Sequence, residues 1–330
     1  MVGPPRFGTF SIVAYDRDRS EWGVAVQSKF LCVGAVVPWA EAGVGAVATQ
    51  ALANVRYGPE GLALLREGLA ADEVVRRLTA ADDQRDHRQL GVVDRRGRAA
   101  AYTGSKCMDW AGHQVGDAFA CQGNILFASA VVEAMARTFE STPGDLPERL
   151  LAALASAQRE GGDRRGMQSA AMLIVRPEGG YDRGSDRWVD VRVDDHPSPI
   201  EELRRIFELY DLTLLTREDP TTLVRLEGEA LTELQRNLGV LGYLTGPAHP
   251  EWDARVDAAF AKFLGENNFE NKARTDGTAW PSVLQYLQQR ARAELARRLT
   301  TAPIVTGALD RGPGGTRPGG SPSPAPKKKR

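Results

Sequence analysis

Gly8-Thr9 stands at the head of an alternating run, "TFSIVAYD" (9–16), and is the pair in this chain best suited to chemistry. Cleavage between the two residues would leave Thr9 with a free α-amino group beside its hydroxyl. Such a residue is nucleophile and base in one: the hydroxyl attacks a carbonyl while the amine, directly or through a water, takes its proton. An α-amine titrates near about 7.7–8.0, so a useful fraction is neutral at physiological pH without a histidine. Lys29, on the strand expected to pair with that of Thr9, would bias both groups electrostatically. The competing account of Thr9 is a β-branched residue that merely opens a buried strand.

Other clusters offer supporting chemistry. Gln122, Gly123 and Asn124 follow a predicted strand and could aim amide donors at an oxyanion, or close a turn on its own backbone. "GGDRRGMQS" (161–169) joins Asp163, Arg164 and Arg165 to Gln168 and Ser169. An arginine held by a carboxylate can clamp a substrate carboxylate through two parallel hydrogen bonds, though solvated loop charges read the same way. Arg88, in "HRQLG", is a further candidate for the same cleft. Asp190, Asp194, Asp195 and His196 fit no metal-ligand spacing and suit a strand end and helix cap, so no metal and no cofactor is expected. His87, His113 and His249 are isolated in sequence. Ser28 and Ser169 lack the G-x-S-x-G elbow of a conventional serine nucleophile. "AGVGAVATQ" lacks the spacing of a dinucleotide or phosphate loop and reads as close strand packing.

These residues need a scaffold. "TFSIVAYD" and "GVAVQSKF", joined by the polar "RDRSEW", predict a hairpin, and "GAVVPW" and "GVGAVATQ" predict short buried strands. Helical spacing begins at "PEGLALLREGL" and continues through "AADEVVRRLTAAD", with Pro59 in a first turn and Asp72 near an N-terminus. "RQLGVVD" and "AAAYTG" predict a second hairpin, and "AFACQGN" a further strand. Helices are expected over 128–139 and 146–160, strands at "SAAMLIVR" and "WVDVRVD", and a closing helix over 199–215. Strands and helices in blocks, without strict βαβ alternation, imply α+β layers in which helices cover antiparallel sheets. Residues 221–300 carry three amphipathic helical patterns and predict a small all-helical domain. From about 303 the chain is rich in Gly, Pro and Ser and ends "KKKR", a composition expected to stay disordered.

Composition narrows the classes. With 42% hydrophobic and 26% charged residues and a net charge of -1, the chain can bury a core but creates no global field toward nucleic acid or a membrane surface. Its three cysteines are too few and too dispersed for a disulfide framework, and there is no signal-like segment and no run of about 18 apolar residues. A cytoplasmic protein is expected, with neither nucleic acid nor membrane as partner.

"TFSIVAYD…WGVAVQSKFLCVGAVVPWAEAGVGAVATQA", "HRQLGVVD", "YTG", "QGNIL", "GGDRRGMQSAAMLIV" and "VDVRVDDHPSPIEELRR" together resemble the domain-of-unknown-function family ten-twenty-eight, over about residues 9–215. That family is placed among the N-terminal-nucleophile (Ntn) hydrolase-like proteins. The resemblance implies an αββα sandwich, hydrolysis of an amide-type bond and assembly as a homo-oligomer. "LQRNLGVLGYLTG…WDARVDAAFAKFLGENNFE" is similar to a peptidoglycan-binding-like domain found after this family in some longer members. Members commonly begin Met-Thr-Phe-Ser, so methionine removal exposes the threonine; here Met1 to Gly8 precede Thr9. Two functions are therefore open. One is an Ntn-type hydrolase of a small amide or ureide, with Thr9 attacking, Lys29 tuning, Gln122 and Asn124 serving the oxyanion and Arg164 or Arg165 holding the substrate. The other is a non-catalytic ligand- or glycan-binding protein on the same scaffold.

Overall fold

The computed structural model describes residues 8–215 and 217–301. The tail expected to be disordered, 303–330, lies outside the described residues. The chain divides into two compact units. The first holds the described residues up to Pro220 together with Asn267–Lys272; the second holds Thr221–Glu266 and the described residues from Ala273 onward.

The first unit is built on β1 (Thr9–Asp16) and β2 (Glu21–Ser28), an antiparallel hairpin whose register places Thr9 opposite Ser28. Asp16 sets the turn by accepting the backbone N–H groups of Asp18 and Arg19 on its Oδ1. With β7 (Gly112–Gly116), β8 (Phe119–Asn124), β9 (Ser169–Val175) and β10 (Arg187–Val193), the hairpin forms a six-stranded sheet in the order β10-β9-β2-β1-β8-β7. The strand bearing Thr9 is thus interior. A four-stranded sheet, β3-β4-β5-β6, is made from Pro38–Glu41, Gly45–Ala51, Arg88–Asp94 and Ala99–Thr103.

Side-chain alternation assigns the layers. In β1, Val13 and Tyr15 face the second sheet with Val24, Val26, Ala46, Ala48 and Val93, whereas Phe10, Ile12 and Ala14 face the helices. Those helices are α3 (Ala130–Ser141), α4 (Leu146–Arg159) and α5 (Pro199–Leu214). The outer face of the smaller sheet packs Val47, Leu90 and Val92 against α1 (Tyr57–Arg66) and α2 (Ala71–Ala80). The result is the αββα sandwich.

One expectation is corrected, and one strand carries no sequence signal. "GAVVPW" is not one strand: Cys32 takes a left-handed conformation, Val33–Ala35 forms a 3-10 turn, and β3 starts only at Pro38. Val33 and Val37 are buried in the inter-sheet core either way, so burial alone gave the segment its strand-like look. The edge strand β7, sequence GHQVG, was not anticipated because its half-exposed glycine-rich pattern carries no period-2 signal.

The second unit consists of α6 (Gly228–Val240), α7 (Ala254–Glu266) and α8 (Pro281–Thr301), with a short antiparallel pair of β11 (Val224–Arg225) and β12 (Thr278–Ala279). Leu231, Leu234, Leu238, Val256, Phe260, Phe263, Val283 and Leu287 are buried, the helical rhythm read in the sequence. Asp253 caps α7 by accepting the Val256 N–H at 2.9 Å.

Candidate active site

Thr9 is almost fully buried, and its Oγ1 lies 3.0 Å from Ser28 Oγ. Ser28 donates its own hydroxyl hydrogen to the carbonyl oxygen of Gly8 at 2.5 Å. A serine has one hydrogen to give, so in this arrangement the Thr9 hydroxyl is the donor to Ser28. A hydrogen-bonded relay thus runs from the Thr9 hydroxyl through Ser28 to the oxygen of the Gly8–Thr9 peptide.

A second donor reaches the same oxygen. Arg165 Nη2 lies 2.7 Å from Gly8 O. The guanidinium is held by Asp163, with Nε to Oδ1 at 3.1 Å and Nη2 to Oδ2 at 2.7 Å, and the Asp163 side chain is fully buried. Such a bidentate, charge-assisted pair fixes the plane of the guanidinium as well as its position. Asp163 is brought here by the segment that follows α4. Gly161 and Gly162, both at positive φ, turn the chain out of the helix. The backbone then pairs with the end of β8 through Phe127 N–Gly162 O, Arg164 N–Ile125 O and an isolated bridge between Leu126 and Asp163.

The other expected site residues fall around this cluster in different ways. Lys29, one residue past the partner of Thr9, is exposed; its ammonium donates to Met167 O at 3.2 Å, and it meets the cluster through its backbone N–H, which donates to Asp163 Oδ2 at 3.1 Å. Arg164 is exposed on the same loop. Gln168 donates to Asp195, and its backbone joins Ser28 O and His196 N. Ser169 donates to Phe30 O and accepts from Val33 N, pinning the loop after β2. Arg88 is turned to Asp82, Gln84 and the Leu52 carbonyl. Burial alone would raise the Asp82 carboxyl, but Arg88, the Gln84 N–H, Tyr57 and Asn54 draw it down to about 2.

Gln122, Gly123 and Asn124 lie beside Thr9 on β8, with Asn124 directly opposite it. The Gln122 and Asn124 carboxamides turn into the sandwich, where each nitrogen donates to a neighbouring side chain and Gln122 Oε1 has no hydrogen-bond partner among the described residues. Gln122 Nε2 donates to Ser11 Oγ, which donates to Gln50 Oε1; Asn124 Nδ2 donates to Gln89 Oε1. Gln50 Nε2 in turn reaches Gln89 Oε1 at 2.8 Å and Thr9 O at 3.3 Å, while Gln89 Nε2 donates to Gly123 O at 2.7 Å. The Gln122 carboxamide crosses to the second sheet so closely that a Cβ on Gly91 would lie 2.2 Å from its Oε1. His113 accepts or donates at Thr103 Oγ1 on the edge of this network, and burial lowers its pKa.

Sequence reasoning missed Ser28 as the partner of Thr9 and Gly8 as a bound group. The length of the hairpin turn, which fixes register, was the one available signal for Ser28. Among the described residues, no group of three or more His, Cys, Asp or Glu side chains is placed to hold a metal ion, and no helix is long and apolar enough to cross a membrane. The loops leaving the Thr9 end of the strands expose Leu31, Leu52, Met108 and Phe127.

Residues 9–203 match the family described as "Family of unknown function (DUF1028)", and residues 213–287 match the family described as "Putative peptidoglycan binding domain". The crystal structure of protein SPO2555 from Silicibacter pomeroyi, described as DUF1028, is similar at 34% identity and a TM-score of 0.57, across 62% of this chain and 86% of that one. No curated protein matches the chain.

Proposed function

The chain belongs to the DUF1028 family of unknown function, and on that premise we propose that it is an N-terminal-nucleophile hydrolase of small amides or ureides, with Thr9 released by cleavage of the Gly8–Thr9 bond. The observation that supports this reading is the convergence of two donors, Ser28 Oγ and Arg165 Nη2, on the carbonyl oxygen of the very peptide that must be cut.

In the cleavage step, Thr9 Oγ1 attacks the Gly8 carbonyl carbon. Its proton passes to Ser28 Oγ as the Ser28 proton passes to the Gly8 oxygen, giving a neutral tetrahedral adduct, and Arg165 stabilises the partial negative charge on that oxygen as the carbonyl opens. Collapse returns the adduct's hydroxyl proton through Ser28 to the Thr9 nitrogen as the C–N bond breaks, leaving a free amine and an ester between Gly8 and Thr9 Oγ1. Water hydrolyses that ester and releases the preceding segment as a carboxylic acid.

On substrate the same groups are reused. The neutral α-amine takes the Thr9 hydroxyl proton as the oxygen attacks the amide carbon, and Ser28 and Arg165 receive the carbonyl oxygen where Gly8 O lay. The amine leaves with the proton, and water resolves the acyl-threonine. Asp163 is a positioning residue that acts through Arg165. Lys29 contributes its backbone N–H to Asp163, and its ammonium remains a candidate for tuning the free amine.

The test is substitution at the nucleophile in the full chain. Thr9→Ser should retain cleavage and amide turnover at a reduced rate, and Thr9→Ala should lose both while keeping the wild-type thermal melt. Undiminished turnover by folded Thr9→Ala would overturn the assignment.

A second reading concerns residues 221–300, for which the match over 213–287 supports glycan binding. A shallow cavity of about 310 Å³ in this unit is lined by Val224, Glu233, Leu234, Asn237, Leu284 and Gln288, among others. Co-sedimentation of the full chain with peptidoglycan should be weakened by Asn237→Ala; sedimentation with neither protein would discard this reading.

A further inference from the structure

The group that occupies the site beside Thr9 is itself informative. Gly8 is buried, and a Cβ added to it would lie 2.7 Å from Asp163 Oδ1 and 2.8 Å from both Cγ and Oδ2. The carboxylate therefore lies against the α-carbon of the acyl group, on the face where an L-amino acid carries its side chain. No carbon fits at such distances.

The carboxylate is also fixed. Each oxygen takes two hydrogen bonds: Oδ1 from Arg165 N at 2.9 Å and Arg165 Nε at 3.1 Å, and Oδ2 from Arg165 Nη2 at 2.7 Å and Lys29 N at 3.1 Å. Pushing it aside would break several of these bonds in a buried setting and would turn the Arg165 guanidinium away from the acyl oxygen, since one side chain anchors the other.

We propose that Asp163 sets the acyl specificity of this site: it rejects L-aminoacyl groups and admits acyl groups whose α-position is bare on that face, such as acetyl, glycyl or carbamoyl. This rests on the reading of Thr9 as nucleophile, and it names the acyl half of the substrate class. The same contact explains why glycine precedes Thr9. Because the obstructing carboxylate also aims the oxyanion donor, a bulkier acyl group lowers kcat and not only binding; misplacement of a catalytic group by about 1 Å can cost on the order of 100-fold in rate.

Two measurements test it. In the first, full-length chains carrying Gly8 or Gly8→Ala are incubated, and the fraction beginning at Thr9 is followed by intact mass, with thermal melts to confirm folding. In the second, processed wild-type protein is given acetyl-, glycyl- and L-alanyl-p-nitroanilide, which needs no variant to fold. The expected result is cleavage slowed at least about 100-fold by Gly8→Ala, and a preference of at least about 100-fold in kcat/KM for acetyl or glycyl over L-alanyl. Processing and turnover indifferent to the added methyl group would overturn the specificity while leaving Thr9 as nucleophile. A wild-type chain that neither cleaves itself nor acylates Thr9 would overturn the nucleophile and this inference together.

Discussion

Two polar clusters adjoin at the Thr9 end of β1, and they use their donors in opposite ways. In the network of Ser11, Gln50, Gln89, Gln122 and Asn124, side chains bind one another and the backbone of β8, so the donors are consumed in joining the sheets. In the cluster of Thr9, Ser28, Asp163 and Arg165, two donors are concentrated on one carbonyl oxygen beside a hydroxyl, with a carboxylate behind them. The first pattern cross-links a fold; under the proposed function, the second is where negative charge would develop. Residue type does not separate them, since amides and hydroxyls make good oxyanion donors in either cluster. What separates them is where the donors point: across the two sheets in one cluster, onto a single peptide oxygen in the other.

Substitutions should therefore affect rate in one cluster and stability in the other. Thr9→Ala carries the largest expected effect, loss of self-cleavage and turnover to background with the fold retained, read by intact mass and amide hydrolysis. Arg165→Lys should reduce turnover by about 10²–10³-fold, the usual result of removing one oxyanion donor. Gln89→Leu works the other way. It takes the acceptor Gln89 Oε1 from Asn124 Nδ2 and the Gln89 donor from the Gly123 carbonyl, while Gln50 Nε2 keeps Thr9 O and Gln122 O. At roughly 1–3 kcal/mol for each buried group left unpaired, it should lower the denaturant midpoint sharply while changing turnover of the folded fraction by less than about tenfold. Equal damage to rate and stability at both clusters would remove the distinction.

The smallest effect lies away from both clusters. Burial pushes the Glu21 carboxyl up to about 7 despite its ion pair with Arg176, and its Oε2 has no hydrogen-bond partner among the described residues. A carboxyl whose folded pKa stands above its ordinary 4.5 holds its proton more tightly when folded, so its contribution to stability declines as pH rises from about 4.5 to about 7. Glu21→Gln should raise the melting temperature above pH 7 by a few degrees and make little difference near pH 4.5, as thermal melts across that range would report.

The scaffold was largely legible in the sequence because it rests on periodicity. "TFSIVAYD", "RQLGVVD" and "SAAMLIV" are strands close to where alternation and buried runs place them, and α4 and α5 begin at the residues their patterns indicate. The segment around Val33 was not legible, since a short apolar run buries equally well as a strand or a 3-10 turn. The candidate cluster was legible in its members but not in its contacts. Thr9, Asp163 and Arg165 were identifiable by chemistry; that Arg165 reaches the Gly8 carbonyl, across 157 positions of sequence, follows only from the pairing of the post-α4 loop with β8. Charge makes Lys29 conspicuous in a sequence, whereas the strand register that puts Ser28 opposite Thr9 is inconspicuous.

The central claim is that this carbonyl is held in order to be cut. The direct measurement is a time course of intact mass on the freshly purified full-length chain, with amide hydrolysis followed on the same samples. The account predicts that a species beginning at Thr9 accumulates, that hydrolysis rises in step with it, and that both are absent from Thr9→Ala. Hydrolysis at full rate by protein that still carries Gly8 joined to Thr9 would contradict it.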